Sequence, residues 1–289
     1  MTKTMRALAA LLALLVAATA VTACGTDDEP PLLIGSGASP AMRAAAAVYA
    51  ASLTRSGTPA TTDGAPVGDD AALMEAISTG GLDLFPAFTG DLLTQLSTAP
   101  AALGGEELLA EVARALPQGV SVGDPTGVSD RPQLLLAADL RDRYGVDTLA
   151  DCGALPPGLP LVVVEGQIAP ATLAAFAVCR PGPVRSVDDP RAVIDAVIGG
   201  QALGVLPALQ TAAAGDLEQV RALPSPEAPR AQDLVPVYRS AALGKSGLRQ
   251  LSRIAGELNT ADLAELAARV DAGEDPRTVA TEWLGEHSA

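Results

Sequence analysis

The sequence predicts an α/β fold, and three observations support this prediction. Short apolar runs alternate with stretches of helical periodicity along most of the chain. A helix, a glycine turn and a strand occur in similar form twice, about 120 residues apart. Many of the 28 glycines and 23 prolines stand where predicted strands and helices end. Beyond the N-terminal region, the chain therefore has the composition of a packed globular protein.

The first 23 residues have the layout of an export signal. Lys3 and Arg6 precede an uncharged run from Ala7 to Ala20, and a positive start, an apolar middle and a small-residue end are typical of cleaved signal peptides. The alternative is an uncut membrane anchor. Such an anchor needs about 20 apolar residues, whereas this run is mostly alanine and has Arg6 near one end. We therefore expect residues 1–23 to be removed.

The residues around Cys24 predict how the mature chain begins. Thr22-Ala23-Cys24 resembles the lipobox of bacterial lipoproteins, in which the cysteine becomes the lipid-modified first residue. The resemblance implies that lipid on Cys24 anchors the protein to the outer face of the cytoplasmic membrane. Residues 24–31 are polar and end in two prolines, so they are expected to form a stiff tether.

The first predicted strand, Leu32 to Ile34, leads into a loop of small residues. A helix follows from Ala41 to Leu53, with Ser39 as its N-cap and Pro40 at its first position. Such a loop suits ligand binding because backbone N–H groups at a helix start can approach a ligand closely. A tight turn selected only for helix packing is the alternative.

The repeated unit begins with a predicted helix from Asp70 to Ser78, followed by a strand from Leu82 to Phe85. Three pairs of segments match along the chain: Leu73–Ile77 with Val193–Val197, Gly80 with Gly200, and, with one extra residue, Phe85-Pro86-Ala87-Phe88 with Leu206-Pro207-Ala208-Leu209. The repeat predicts two similar lobes, each with a ligand-facing strand end. Coincidence between two alanine-rich units is the alternative.

The other elements follow the same alternation. Further strands are predicted at residues 120–122, 133–137, 161–164 and 234–237. Further helices are predicted at residues 106–115, 139–144, 170–178, 190–198, 246–258, 260–271 and 275–284. Thr260 is the expected N-cap of the helix that it begins.

The charge of the chain argues against nucleic acid as a partner. The sequence has 19 basic and 34 acidic residues and a net charge of −15. Removal of the signal peptide takes away Lys3 and Arg6, so the mature charge is −17. Binding to a phosphate backbone depends on Lys and Arg, and the scattered acids are best explained by solubility.

Two cysteines, Cys152 and Cys179, remain after Cys24. Outside the cytoplasm, cysteines are more often paired than free. We therefore predict a disulfide between them, which would close a 28-residue loop. Two buried thiols are the alternative.

The sequence lacks the usual catalytic motifs. Its single histidine, His287, stands three residues from the end, and there is no Gly-x-Ser-x-Gly motif, phosphate-binding loop or Cys/His metal motif. The adjacent acidic pairs lie in the tether or at predicted helix starts, where the helix dipole favours them. The sequence therefore predicts a binding protein with no cofactor and no metal site, although Asp91 leaves a cleft hydrolase as a further alternative.

Several blocks of the chain resemble one family in the same order. They are Ile34-Gly35-Ser36, Ala72–Ile77, Gly81–Leu93, Asp139–Gly145, Pro236–Arg239 and the ending from Leu258 to Leu284. The family is that of the substrate-binding proteins of osmoprotectant ABC importers, which take glycine betaine, choline and carnitine. The resemblance covers nearly all of the mature chain and is weakest between about residues 150 and 232.

The resemblance implies a type II periplasmic-binding-protein fold, with two α/β lobes joined by two crossover segments and a ligand held between them. Lobe I would comprise residues 32–124 and 234–289, and lobe II residues 125–233. The protein would be a monomer that delivers a small polar organic solute, such as a quaternary ammonium compound, to the permease subunit of an ABC importer.

The resemblance and the loop positions together give nine candidate ligand-binding residues. They are Ser36, Ser39, Phe88, Thr89, Asp91, Asp130, Arg131, Gln167 and Thr211. Phe88 and Asp91 would contact the cation, and Ser36, Ser39 and Thr89 would supply hydrogen bonds.

Family members hold quaternary ammonium groups in a box of aromatic rings, and two positions of this chain depart from that pattern. Phe88 stands where the family has one tyrosine, and Pro132 stands where it has another. Because the box has few aromatic residues, a second hypothesis stays open, in which the protein keeps the fold and acts as a sensor or scaffold.

Overall fold

The computed structural model describes residues 30–97, 104–214, 218–224 and 230–287. The signal peptide, Cys24 and the tether before Pro30 lie outside these residues, so the roles proposed for them stay predictions. From Pro31 onward the chain forms one compact unit, which contains two main β-sheets.

The first main sheet is antiparallel and has the strand order β3, β10, β4. Its strands are β3 (Leu84–Phe88), β4 (Val120–Val122) and β10 (Leu234–Arg239). Two shorter strands, β1 (Leu32–Leu33) and β2 (Ala60–Thr61), pair in parallel beside it. Ile34 bridges to Leu84, so the loop after β1 reaches the sheet.

The second main sheet has the strand order β7, β6, β8, β5, β9. Its strands are β5 (Pro132–Ala137), β6 (Leu161–Val164), β7 (Val184–Val187), β8 (Leu203–Pro207) and β9 (Val220–Leu223). β6 runs parallel to both β7 and β8, whereas β5 runs antiparallel to β8 and β9. Strands β2, β7 and β9 were not predicted from the sequence. β7 is a largely exposed edge strand that lacks an apolar run.

Helices cover both sheets. They are α1 (Pro40–Arg55), α2 (Asp70–Ser78), α3 (Thr89–Leu96), α4 (Gly105–Ala115), α5 (Ala138–Tyr144), α6 (Pro170–Leu173), α7 (Pro190–Ile198), α8 (Ala208–Ala213), α9 (Lys245–Glu257), α10 (Thr260–Asp271) and α11 (Pro276–Glu286). The alanine-rich α1 packs against α10 and α11, and Tyr49 and Trp283 are buried in this core. Within the described ranges, no helix combines the length and apolar character needed to cross a membrane.

The chain passes between the two sheets twice, and the two crossover segments lie side by side. Ser129 forms an antiparallel bridge with Asp233. The backbone N–H of Asp130 donates to the carbonyl of Gln232 at 2.8 Å, and that of Leu234 donates to the carbonyl of Val128 at 3.0 Å. The architecture is that of a two-lobed type II periplasmic-binding protein.

The predicted repeat is present in both lobes. Helices α2 and α7 each follow an aspartate N-cap, Asp69 and Asp189, whose side chain accepts a hydrogen bond from the backbone three residues on. Each helix is followed by a glycine with positive φ, Gly80 at 81° and Gly200 at 66°, a conformation that glycine adopts readily. A strand and a further helix then follow directly in both lobes.

Several local predictions were wrong. The strand predicted from Leu82 to Phe85 is β3, Leu84–Phe88. The N-cap of α10 is Asn259, because its side chain accepts hydrogen bonds from the N–H groups of Ala261 and Asp262. Thr260 is the first helical residue, and its hydroxyl accepts from the N–H of Ser129 in the first crossover. The helix predicted over residues 170–178 is α6 followed by a 3₁₀ helix, Ala174–Cys179.

Cys152 and Cys179 form a disulfide in the second lobe, with their Cα atoms 4.7 Å apart. Each lies in a 3₁₀ helix, Leu149–Ala154 or Ala174–Cys179. Both cysteines are buried in the apolar cluster on one face of the second sheet. The bond therefore joins two short helical segments whose cysteines are separated by 27 residues along the chain.

Candidate ligand-binding site

A cavity of about 460 Å³ lies between the two lobes. Its walls come from the start of α1, the end of β3, the first crossover, α8 and α10. Three of the nine predicted residues, Ser39, Phe88 and Asp130, line it together with Leu209 and Gln210 of the second lobe. We call this space the inter-lobe cavity.

Ser39 is held at the mouth of the inter-lobe cavity by its capping role. Its backbone is extended, and its Oγ accepts a hydrogen bond of 3.2 Å from the N–H of Met42. Pro40 at the first helical position fixes φ and needs no partner for a backbone N–H. The hydroxyl hydrogen of Ser39 remains available as a donor.

Asp130 brings a partly buried carboxylate into the inter-lobe cavity. Its Oδ1 accepts a hydrogen bond of 2.9 Å from the backbone N–H of Leu209. Among the described residues, no donor reaches its Oδ2. Burial raises the pKa of Asp130 to about 6, the Leu209 hydrogen bond opposes this shift, and the charge of Asp91 adds to it.

A neighbouring aspartate, Asp91, adds negative charge close to this carboxylate. Burial and the charges of Asp91 and Asp69 raise the pKa of Asp70 to about 6. The carboxylate of Asp91 accepts a 2.7 Å hydrogen bond from the side-chain amide of Gln232 in the second crossover. Asp91 is exposed at the start of α3 and does not line the inter-lobe cavity, in contrast to its predicted contact with the ligand.

Thr89 is buried and binds the second crossover. Its backbone N–H donates to the carbonyl of Asp233 at 3.0 Å, and its Oγ1 accepts from the N–H of Asp233 at 3.1 Å. Next to it, a side chain at Gly90 would place Cβ 2.5 Å from the carbonyl oxygen of Ala231. The Thr-Gly pair therefore lets the crossover pass close to α3, and Thr89 does not have the ligand-facing position that was predicted.

Arg131 and Thr211 line a different cavity, of about 580 Å³. This second cavity lies on the other side of α8 and also includes Pro132, Phe176 and Thr260. The two cavities lie on different faces of α8. Residues 209, 210 and 213 line the inter-lobe cavity, and residues 208, 211 and 212 line the second one.

The last two predicted residues lie apart from both cavities. Ser36 is buried, and its backbone pairs with the segment around Val67. Gln167 is exposed in the turn after β6 and lines neither the inter-lobe cavity nor the second cavity. Within the described part of the chain, no three His, Cys, Asp or Glu side chains are grouped to hold a metal ion.

The sequence did contain a signal for two residues that the candidate set lacks. In the repeat, Phe88 corresponds to Leu209, and both line the inter-lobe cavity. Gln210 follows Leu209 and would have been found by the same correspondence.

A model of the substrate-binding domain of the ABC-type glycine betaine transport system matches residues 30–286. The chain belongs to this family. Members of the glycine betaine transport family are importer subunits that work outside the cytoplasm, and they are not a class of enzymes. No curated protein matches the sequence.

Solved structures of similar fold agree with this membership. Apo YehZ from Escherichia coli has a TM-score of 0.72 at 18% identity, covering 90% of this chain and 99% of its own. A glycine betaine/carnitine/choline ABC transporter structure has a TM-score of 0.73 at 14% identity, covering 89% and 98%. Closed, glycine betaine-bound lactococcal OpuAC has a TM-score of 0.50 at 10% identity, covering 90% and 96%. At these identities the likeness shows the fold.

Proposed function

We propose that this chain is the solute-binding subunit of an ABC importer and that its inter-lobe cavity takes a small organic cation. Quaternary ammonium solutes are the first class to test. One structure of similar fold is described as a glycine betaine/carnitine/choline transporter, and another holds glycine betaine.

The observation that carries the proposal is the meeting of Phe88 and Asp130 in one cavity between the lobes. The face of an aromatic ring attracts a cation, and a partly buried carboxylate attracts it more strongly than an exposed one. The two groups come from the end of β3 and from the first crossover, so a bound cation would contact the parts of the fold that move when the lobes close.

We further propose that the lobes have the predicted boundaries, residues 32–124 with 234–289 and residues 125–233, and that the mature protein is a monomer. Lipid on Cys24 would hold it at the outer face of the cytoplasmic membrane. The tether would then keep the loaded protein near its permease at a high effective concentration.

The second candidate is a lipoprotein that keeps the fold and acts as a sensor or scaffold. The observation in its favour is that Pro132, which stands where the family has a ring, lines the second cavity and supplies no aromatic face. Such a protein would bind none of the transported solutes.

Calorimetry with glycine betaine, choline, carnitine and ectoine separates the two candidates. The importer subunit is expected to bind at least one of these solutes through its positively charged group, and Phe88→Ala or Asp130→Asn is expected to weaken that binding at least tenfold. Glu107→Gln is the matched control, because it also removes one negative charge but lies exposed on α4. Folded protein that binds nothing in this panel or in a wider set of metabolites would contradict the proposal.

A further inference from the structure

We infer that the inter-lobe cavity selects an ammonium ion that keeps its N–H bonds and carries no carboxylate. The inference rests on the proposed function, because it names the solute class of the same cavity. It separates this chain from a site built for N-methylated zwitterions such as glycine betaine.

The charged residues of the inter-lobe cavity argue against a carboxylate on the ligand. Among the described lining residues, Asp130 and Asp271 are the charged ones, and both are acidic. Asp271 is the last residue of α10. Arg131 is adjacent to Asp130 in sequence but lines the second cavity. A zwitterion would therefore place its carboxylate among like charges, whereas a simple cation would not.

The aromatic content of the cavity argues against a fully methylated nitrogen. A quaternary ammonium group cannot donate hydrogen bonds, so it depends on several ring faces around it. Here Phe88 is the aromatic residue among the described lining residues. Much of the remaining wall consists of small side chains: Ala41, Ala213, Ala264, Ala267 and Ala268. One ring leaves most of a trimethylammonium surface facing alanine.

Two acceptors in the cavity favour a ligand with N–H groups. The amide oxygen of Gln210 is buried and has no hydrogen-bond partner among the described residues. Asp130 uses Oδ1 for the N–H of Leu209 and leaves Oδ2 without a donor in the described structure. The unpartnered, buried oxygen of Gln210 is unfavourable, and an ammonium ion with N–H bonds can donate to it and to Oδ2 of Asp130. A quaternary ammonium nitrogen can donate to neither.

Four small molecules test independently the preference for N–H bonds on the nitrogen and the preference against a carboxylate. Ethanolamine and choline share a hydroxyethyl group and differ in the methyl groups on nitrogen, and glycine and glycine betaine are the corresponding carboxylates. In calorimetry at pH 7.5, we expect ethanolamine to bind tightest, at least tenfold tighter than choline and at least tenfold tighter than glycine. Glycine betaine is expected to bind most weakly.

Variants test whether Gln210 and Asp130 cause the preference for ethanolamine over choline. Gln210→Met removes the acceptor at similar size and is expected to reduce ethanolamine affinity about fivefold while changing choline affinity less than twofold. Asp130→Asn is expected to reduce ethanolamine affinity at least tenfold, and Glu107→Gln is expected to leave it unchanged.

Some outcomes would overturn the inference. Equal or tighter binding of choline or glycine betaine would do so while leaving the proposed function in place. The absence of binding by all four molecules would also overturn it, and the proposed function would fail as well only if the wider panel gave no binding. An unchanged ratio of ethanolamine to choline affinity in Gln210→Met would remove Gln210 from the account.

Discussion

The carboxylate of Asp130 accepts a 2.9 Å hydrogen bond from the backbone N–H of Leu209. This bond joins the first crossover to the start of α8 in the second lobe. It also fixes the orientation of Asp130, so that Oδ1 is used within the protein and Oδ2 has no donor in the described structure. This partly buried carboxylate lies close to another acid. It therefore favours binding of a cation but lowers the stability of the unliganded protein.

Replacing Asp130 by asparagine should stabilise the free protein at alkaline pH. Burial, with a contribution from Asp91, raises the pKa of Asp130 from 3.8 to about 6. The stability that its protonated form contributes is therefore complete below pH 4 and lost as the pH rises through 6. Asparagine is neutral and can still accept from Leu209. At pH 8 we expect Asp130→Asn to raise the free energy of unfolding by about 2 to 3 kcal/mol.

Chemical denaturation at several pH values measures this effect. The advantage of Asp130→Asn should shrink as the pH falls and be absent near pH 4, while Glu107→Gln should show no comparable trend. A variant less stable than the natural protein at pH 8 would show that the carboxylate is better stabilised in the fold than its surroundings indicate.

Binding of a cation should weaken in acid. Protonation of Asp130 removes the charge that attracts the ligand, and the neighbouring acid Asp91 does not line the inter-lobe cavity and so does not replace its contact. With a pKa of about 6 in the free protein, affinity should fall about tenfold between pH 7.5 and pH 5. Calorimetry in buffers of different ionisation enthalpy should also detect proton release on binding at pH 5.5. Affinity that is constant over this range would exclude Asp130 as the binding group.

Thr89→Val should destabilise the junction between α3 and the second crossover. The N–H of Asp233 donates to Thr89 Oγ1 at 3.1 Å, and valine of similar shape leaves this donor without its partner. The expected loss in the free energy of unfolding is about 1 to 3 kcal/mol. Thr89→Ser keeps the acceptor and should lose less. A loss in Thr89→Ser at least as large as that in Thr89→Val would show that the hydrogen bond contributes no more than the methyl group.

Removal of the disulfide should destabilise the second lobe. Cys152 and Cys179 are separated by 27 residues along the chain, and a bond across a loop of this length contributes about 3 kcal/mol through the unfolded state. We expect the double serine variant to unfold at a lower denaturant concentration. Mass spectrometry after alkylation of the unreduced protein provides the direct check, since two alkylated cysteines in the natural protein would contradict the pairing.

Elements with strong local signals were predicted to the residue. Helices α2 and α7 have the predicted bounds because each follows an aspartate N-cap and ends before a glycine turn. Strands β4 and β6 are short apolar runs between turns and also have the predicted bounds. In these cases the residues next to each element in the sequence determine where it begins and ends.

The predictions that failed concern residues whose positions depend on contacts with residues distant in the sequence. Thr260 is a suitable cap in isolation, but its hydroxyl serves the N–H of Ser129, and Asn259 takes the capping role. The division of the candidate site depends on which face of α8 each residue occupies once it packs beside α10. Adjacent residues Asp130 and Arg131 of the first crossover also line different cavities, and no spacing in the sequence shows this.

Native mass spectrometry of protein purified without unfolding tests the central claim most directly. We predict that the natural protein carries a small organic cation, of a size that a cavity of about 460 Å³ can hold, and that Asp130→Asn purified in parallel carries none. Folded natural protein without any bound cation under conditions that supply the solute, or equal occupancy in Asp130→Asn, would contradict it.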